Sequence, residues 1–180
     1  MTHMDDVVAT APKPRENDRT AGIAIDFEDF FAGQHERLFR ALWLVTRNRH
    51  EAEEIMQEAF LKVWERWGRV ATGPDPAAYL YRTAMNLWRS RLRRAGVAFR
   101  KAFHQIQADD EMAAVEERDA VVRALAPLPP RQRAAVVLMD VLDLSSERAG
   151  EALGVAGVTV RVLAARARVT LAKEMGERDG

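Results

Sequence analysis

The stretch EAEEIMQEAFLKVWERW, residues 51–67, decides the fold. Its apolar residues are Ala52, Ile55, Met56, Ala59, Phe60, Val63, Trp64 and Trp67. They recur at intervals of three and four, an uninterrupted helical stripe that is expected to be core. The other side carries Glu51, Glu53, Glu54 and Glu58, with no positive charge before Lys62. Nucleic acid should repel such a face, and its acids also suit the positive N-terminal end of a helix.

Working outward, every patterned segment reads as helix and none as strand. Upstream, Phe27, Phe30, Phe31, Leu38, Leu42 and Val45 sit at helical spacing. Gly33 is expected to separate a short first turn from a longer helix. Arg47-Asn48-Arg49 closes that helix with cations at its negative end. Downstream, GRVATGPDP (68–76) has two glycines and two prolines and must be a loop. A third helix is expected over 77–94. Residues 95–116 read as a linker, wholly irregular or partly helical, with an acidic cluster, Asp109-Asp110-Glu111. The helical pattern resumes near Glu117 and is broken by LAPLPPRQR, where Pro130 suits a first helical turn. AAVVLMDVL reads as a buried helix. Ser145 or Ser146 can N-cap the next one, and Gly154 suits the position just past its end. A long helix is expected over 157–175, giving a helix-turn-helix. The fold class is therefore all-α: a flexible tail (1–24), a helical module (25–94), a linker (95–116) and a helix-turn-helix module (117–180).

The chain has 180 residues, 48% hydrophobic and 30% charged, which suffices for a packed core. It holds no cysteine, so disulfides, thiolate zinc sites and thiol redox sensing are excluded. No apolar run is long enough for a membrane span and no signal-peptide pattern opens the chain, so a cytoplasmic protein is expected. The histidines, His3, His35, His50 and His104, are scattered and form no metal or catalytic spacing. No enzyme activity, metal or cofactor is expected. Net charge is zero, but it is segregated. Residues 71–105 carry 7 basic and 1 acidic group, whereas 106–120 carry 1 and 6. Screening over roughly 8 Å makes a partner feel the patch and not the total.

The basic patch centres on AYLYRTAMNLWRSRLRR, 78–94. Leu80, Ala84, Leu87, Trp88 and Leu92 form its core stripe. Arg82, Asn86, Arg89 and Arg93 follow one another on another face, where arginines can track phosphates and Asn can pair with a base edge. Tyr79 or Tyr81, read as exposed aromatics, can stack on unpaired bases. The plainer alternative is a solvated basic face. In the second module, Thr159 and Arg161 open the second helix of the motif, where side chains reach base edges. Arg166 and Arg168 are placed for backbone phosphates, and Arg131 and Arg133 sit at a helix start that favours phosphate. The plainer alternative there is a structural helical hairpin.

These residues carry a resemblance. The order FEDFF…RLFRALWLVTRNRHEAEEIMQEAFLKVWERW, a Gly/Pro loop, then AYLYRTAMNLWRSRLRR, resembles region two of bacterial sigma factors. ALAPLPPRQRAAVVLMDVLDLS…EALGV…TVR…RARVTL resembles region four. The absence of a middle domain is similar to the extracytoplasmic-function group. The resemblance covers about residues 26–175. It implies that Glu54, Gln57 and Glu58 face the β′ coiled coil of core RNA polymerase. It implies that Tyr79, Arg82, Asn86, Arg89 and Arg93 hold the unpaired minus-ten segment. It implies that Arg131, Arg133, Thr159, Arg161 and Arg166 meet minus-35 duplex DNA. An anti-sigma partner that covers both modules is implied too. A stand-alone helix-turn-helix regulator is the alternative, and lacks a visible dimerisation domain.

The resemblance departs in two places. After Thr159-Val160-Arg161 the family has a small polar residue and a basic one; here stand Val162 and Leu163. Ala149-Gly150 replaces a larger aliphatic residue and alanine, and a helical glycine costs roughly 1 kcal/mol against Ala. Either the second module reads DNA weakly or with an unusual base preference, or it serves mainly as a protein-binding surface. Val158, Val160, Val162 and Leu163 are equally readable as core.

Overall fold

The computed structural model describes residues 26–101 and 120–176. Among them every regular element is helical: α1 (Phe27–Thr46), α2 (Arg49–Trp64), α3 (Trp67–Val70), α4 (Pro76–Lys101), α5 (Ala120–Leu125), α6 (Pro130–Val136), α7 (Ser146–Leu153) and α8 (Gly157–Gly176). A π-helical turn, Val137–Val141, continues α6. The expected tail 1–24 and most of the expected linker lie outside the described residues. The part of the linker that is described, 95–101, is a continuation of α4.

In the first module α1, α2 and α4 pack together. Asp26 caps α1, its carboxylate accepting from the Phe27 N–H at 2.8 Å. Gly33 does not interrupt the helix. A single glycine weakens a helix without ending it, and here the flanking stripe of buried Phe30, Leu38 and Leu42 carries the helix through. Arg47 ends α1 in the left-handed region (φ 61°), and Asn48 caps α2 by accepting from Glu51 N–H at 2.9 Å. Leu38, Leu42, Val45, Ile55, Val63, Leu80 and Met85 are fully buried between the three helices. Phe27, Phe30, Phe31, Phe60 and Trp67 close one end, with ring centroids 4.7–6.4 Å apart.

Two stripe residues are not where the periodicity puts them. Trp64 is 60% exposed and Leu92 lies on the surface. The α2 helix stops at Trp64, and the chain turns through Glu65 and Arg66 before α3 brings Trp67 back to the aromatic cluster. Trp64 is therefore left outside the core that Trp67 rejoins.

The second module is built on α6, α7 and α8. Pro130 begins α6, as its fixed φ and missing N–H permit. AAVVLMDVL is not one continuous α-helix: it passes from α6 into the π turn, and Asp143 then takes φ 54°. Ser145 caps α7, accepting from Arg148 N–H at 3.2 Å. Gly154 ends it at φ 65°, its N–H donating to Gly150 O. Gly150 has a reason to be there. An added Cβ would stand 2.6 Å from the Val155 carbonyl oxygen and 3.0 Å from Gly157 N. The tight turn between α7 and α8 needs this close backbone approach, so the glycine shapes the motif instead of weakening it.

The modules pack on one another. The α7 helix lies against α4, and α6 with the π turn lies against α1. Polar ties span the seam. Arg37 Nη2 donates to Leu142 O at 3.3 Å, and Arg133 Nε donates to Val45 O at 2.8 Å. Asp75, just before α4, pairs with Arg148 on α7.

Candidate nucleic-acid and protein interfaces

The row Arg82, Asn86, Arg89 and Arg93 is divided by the structure. Its upper part faces a groove lined by Lys62, Arg66, Tyr79, Arg82, Thr83 and Asn86, with one acid, Glu65, and Leu87 among them. The Gly/Pro loop closes the start of α4, where Asp75 accepts from Ala78 N–H at 2.9 Å. Tyr79 is held in place from both sides. Arg66 Nη1 donates to its hydroxyl at 3.1 Å, and the Arg82 guanidinium lies 5.6 Å from its ring centroid. That hydrogen bond raises the Arg66 pKa above its ordinary value. Arg82 and Asn86 are exposed. The groove thus joins cations, a half-buried aromatic ring and an amide, the groups that hold a strand of unpaired bases. Lys62 and Arg66 were missed in the sequence because they belong to α2 and the turn after it. Tyr81, the other aromatic expected to be exposed, is instead buried and donates to Gln34 Oε1 at 2.7 Å, so it is not open to stack on a base.

The lower part of the row meets the second module. Arg89 donates to the Leu153 carbonyl, at the C-terminus of α7, and to Asn86 Oδ1 at 2.5 Å. Its guanidinium packs against Gly154, where a Cβ would collide with it. A cation at a helix C-terminus is favourable. Burial nonetheless lowers its pKa, and nearby Arg93 and Arg131 lower it further. Arg89, Arg93 and Arg131 line a cavity of about 230 Å³ floored by Trp88, Leu92 and Leu163. In this arrangement Arg89 is a seam residue, not an open phosphate contact.

On α2 the acidic side is partly neutralised by α4. Arg91 Nη1 pairs with Glu54 Oε2 at 2.5 Å and Nη2 with Glu58 Oε2 at 3.4 Å. The hydrogen bond from Arg91 holds the Glu54 carboxyl below its ordinary range. Lys62 also reaches Glu58, at 3.6 Å. Gln57 is exposed. Beside it stand Leu61 and Trp64, both exposed. Glu54, Gln57, Leu61 and Trp64 recur at helical spacing and share one face. That face is acidic at one end and apolar at the other, which suits a protein partner. Sequence periodicity assigned Trp64 to the core and so missed it.

In the second module Arg131, Thr159 and Arg166 are exposed. Arg161 is exposed but tethered, donating to Ser146 Oγ at 2.7 Å and to Glu147 Oε1 at 2.9 Å. Arg168 is bonded through two nitrogens to Asp140, at 2.6 and 3.1 Å. Arg133 departs from expectation. It is 7% exposed and bonded to Val45 O at 2.8 Å and Leu128 O at 3.1 Å. Burial, aided by Arg47, pushes its pKa down to about 10. It serves here to satisfy orphan carbonyls, one of them at the C-terminus of α1. The apolar run is split. Val160 is buried and Leu163 packs against the core, whereas Val158 and Val162 are exposed.

The profile for sigma-70 region 2 matches residues 31–97, and that for sigma-70 region 4 matches residues 118–171. The ECF RNA polymerase sigma factor SigM of Mycobacterium tuberculosis is 34% identical over 157 residues, which cover 87% of this chain and 80% of SigM. ECF RNA polymerase sigma factor SigW of Bacillus subtilis is 27% identical over 165 residues, 83% of this chain and 88% of SigW. Among solved structures, the sigma factor RpoE of Bartonella quintana, in complex with the anti-sigma factor NepR, superposes with a TM-score of 0.70 at 20% identity. That superposition covers 84% of this chain and 97% of RpoE.

Proposed function

Because this chain belongs to the extracytoplasmic-function group of sigma-70 factors, and is an RNA polymerase sigma factor, we propose how its surfaces divide the work of initiation. The α2 face of Glu54, Gln57 and Glu58, extended by Leu61 and Trp64, docks core RNA polymerase. The groove of Tyr79, Arg82 and Asn86 holds the unpaired minus-ten strand. Arg131, Thr159 and Arg166, with Arg161 in support, meet the minus-35 duplex. The observation that carries this reading is the groove itself. It combines a braced aromatic ring with cations and an amide beside a loop, on the same packed helices that present Trp64 to solvent.

The seam sets a condition on the lower part of α4. Arg89 cannot reach a phosphate while it is bonded to Leu153 O and packed on Gly154. Minus-ten contacts by Arg89 therefore require α7 to leave α4, whereas Arg93 is already exposed. Arg133 joins the minus-35 set only when α6 leaves α1. We assign residues 25–94 and 117–180 as the two units that separate. An anti-sigma factor is the partner class that would hold them together, and polymerase and promoter place the protein's work in the cytoplasm. Bond-making is left to polymerase, and no helix of the described residues is long and apolar enough to cross a membrane. A stand-alone regulator is not favoured, since the α2 face and the minus-ten groove would have no role in it.

The test is initiation. The purified chain is mixed with bacterial core polymerase and promoter-bearing fragments, with each protein alone as control. Specific transcripts only from the mixture support the reading. Sequence-specific duplex binding by the chain alone, without transcripts from the mixture, overturns it.

A further inference from the structure

The exposed valines of α8 are left without a role by the reading above. Val158 is 57% exposed and Val162 46%. They lie one helical turn apart on the same side of the first two turns of α8, the part of a helix-turn-helix that meets base edges. Exposed Thr159 stands beside Val158 and exposed Arg166 one turn beyond Val162, while Ala165 and Val169, both exposed, continue the same face further along α8. Over its length α8 carries Arg161, Arg166, Arg168 and Lys173 against a single acid, Glu174. Arg161, the residue best placed for a bidentate base contact, is held by Ser146 and Glu147 instead.

Although Glu147 and Asp140 pair with Arg161 and Arg168, exposed Thr159 and Arg166 flank the two valines and can meet bases and phosphates, so the start of this face fits duplex DNA better than an apolar protein groove. Among the groups a base pair shows in that groove, the one that matches a valine methyl is the 5-methyl of thymine. Four residues of helix rise about 6 Å, close to two base-pair steps of roughly 3.4 Å. We propose that Val158 and Val162 read thymine methyl groups, so that this chain selects its upstream promoter element by apolar contact at A·T pairs. The proposal rests on the second module reading duplex DNA, and it deepens that reading.

The test removes single methyl groups. Holoenzyme formed from the full chain and core polymerase first selects a promoter from a random library. Each thymine of its upstream element is then replaced by uracil, which deletes the 5-methyl and leaves the hydrogen-bonding edge intact. Loss of one well-packed methyl is expected to weaken promoter binding about fourfold. That sensitivity should vanish at one thymine in Val158→Ala and at another in Val162→Ala. Both valines are exposed and alanine favours helix, so folding is not at risk. Uracil tolerated throughout an upstream element that is itself required overturns the thymine proposal and leaves duplex reading intact. An upstream element that can be deleted without effect overturns the premise as well. Variants that bind every promoter like the parent but hold core polymerase less tightly make the valines a protein contact, and the proposal falls.

Discussion

Replacing Gly150 and Gly33 by alanine, one at a time, should change stability in opposite directions. Both glycines lie inside helices, so alanine brings the same intrinsic gain to each, roughly 0.5–1 kcal/mol. At Gly33 no heavy atom lies within 4 Å of the added Cβ, and the gain should be realised in full. At Gly150 the Cβ meets Val155 O at 2.6 Å and Gly157 N at 3.0 Å. Both are backbone atoms, which cannot swing aside as a side chain would. The turn must open by about half an ångström or more, straining the 3.0 Å hydrogen bond from Val155 N to Gly150 O. Overpacking costs about 1–3 kcal/mol and a weakened hydrogen bond about 1 kcal/mol more. The clash outweighs the propensity gain, leaving Gly150→Ala less stable by about 1–3 kcal/mol. Urea unfolding followed by circular dichroism measures both variants against the parent. A Gly150→Ala midpoint at or above that of the parent refutes the close approach of α7 and α8. A Gly33→Ala midpoint clearly below it refutes the continuous α1.

Three further outcomes are expected. Trp64→Ala should weaken binding to core polymerase about tenfold, the size of a typical exposed aromatic anchor, with an unchanged unfolding midpoint; equal affinity in a titration with labelled polymerase removes Trp64 from the interface. Arg82→Ala should weaken promoter-complex formation and lower the slope of log K against log salt by about one, and an unaltered slope denies a phosphate contact there. Arg91→Ala should loosen α2 from α4 in a pH-dependent way. Glu54 is held below its ordinary value of 4.5 by Arg91, so the stabilisation is present above that value and fades as pH falls through the folded-state pKa. The stability gap between parent and variant should narrow on going from pH 7 to pH 3; a gap that stays constant assigns the effect of Arg91 to packing alone.

The helices were legible because each buries one face, and burial at a 3.6-residue period leaves a mark that Leu38, Leu42, Ile55, Val63 and Leu80 carry plainly. The caps Asn48, Ser145 and Gly154 act within a few residues of themselves, and Ser145 and Gly154 were readable for that reason. What the sequence hid depends on contacts between distant segments. Trp64 continues a perfect stripe, and only the end of α2 takes it out of the core. Arg91 looks like one more promoter-facing cation until Glu54 and Glu58 are seen across the helix pair. Arg89 and Arg133 share the charge and spacing of DNA contacts, yet each is spent on a carbonyl of the other module. The aromatic-cationic groove draws Lys62 and Arg66 from outside α4, so no pattern within 78–94 announces it.

The most direct measurement is site-specific photocrosslinking within an open promoter complex. A photoreactive side chain is placed at Leu61, on the exposed α2 face, and in a second sample at Thr83, in the groove. Crosslinks from Leu61 to a large polymerase subunit, and from Thr83 to the single-stranded minus-ten DNA, are the expected pair. Crosslinks from Leu61 to DNA, or from Thr83 to polymerase alone, contradict the division of protein and promoter between these two surfaces.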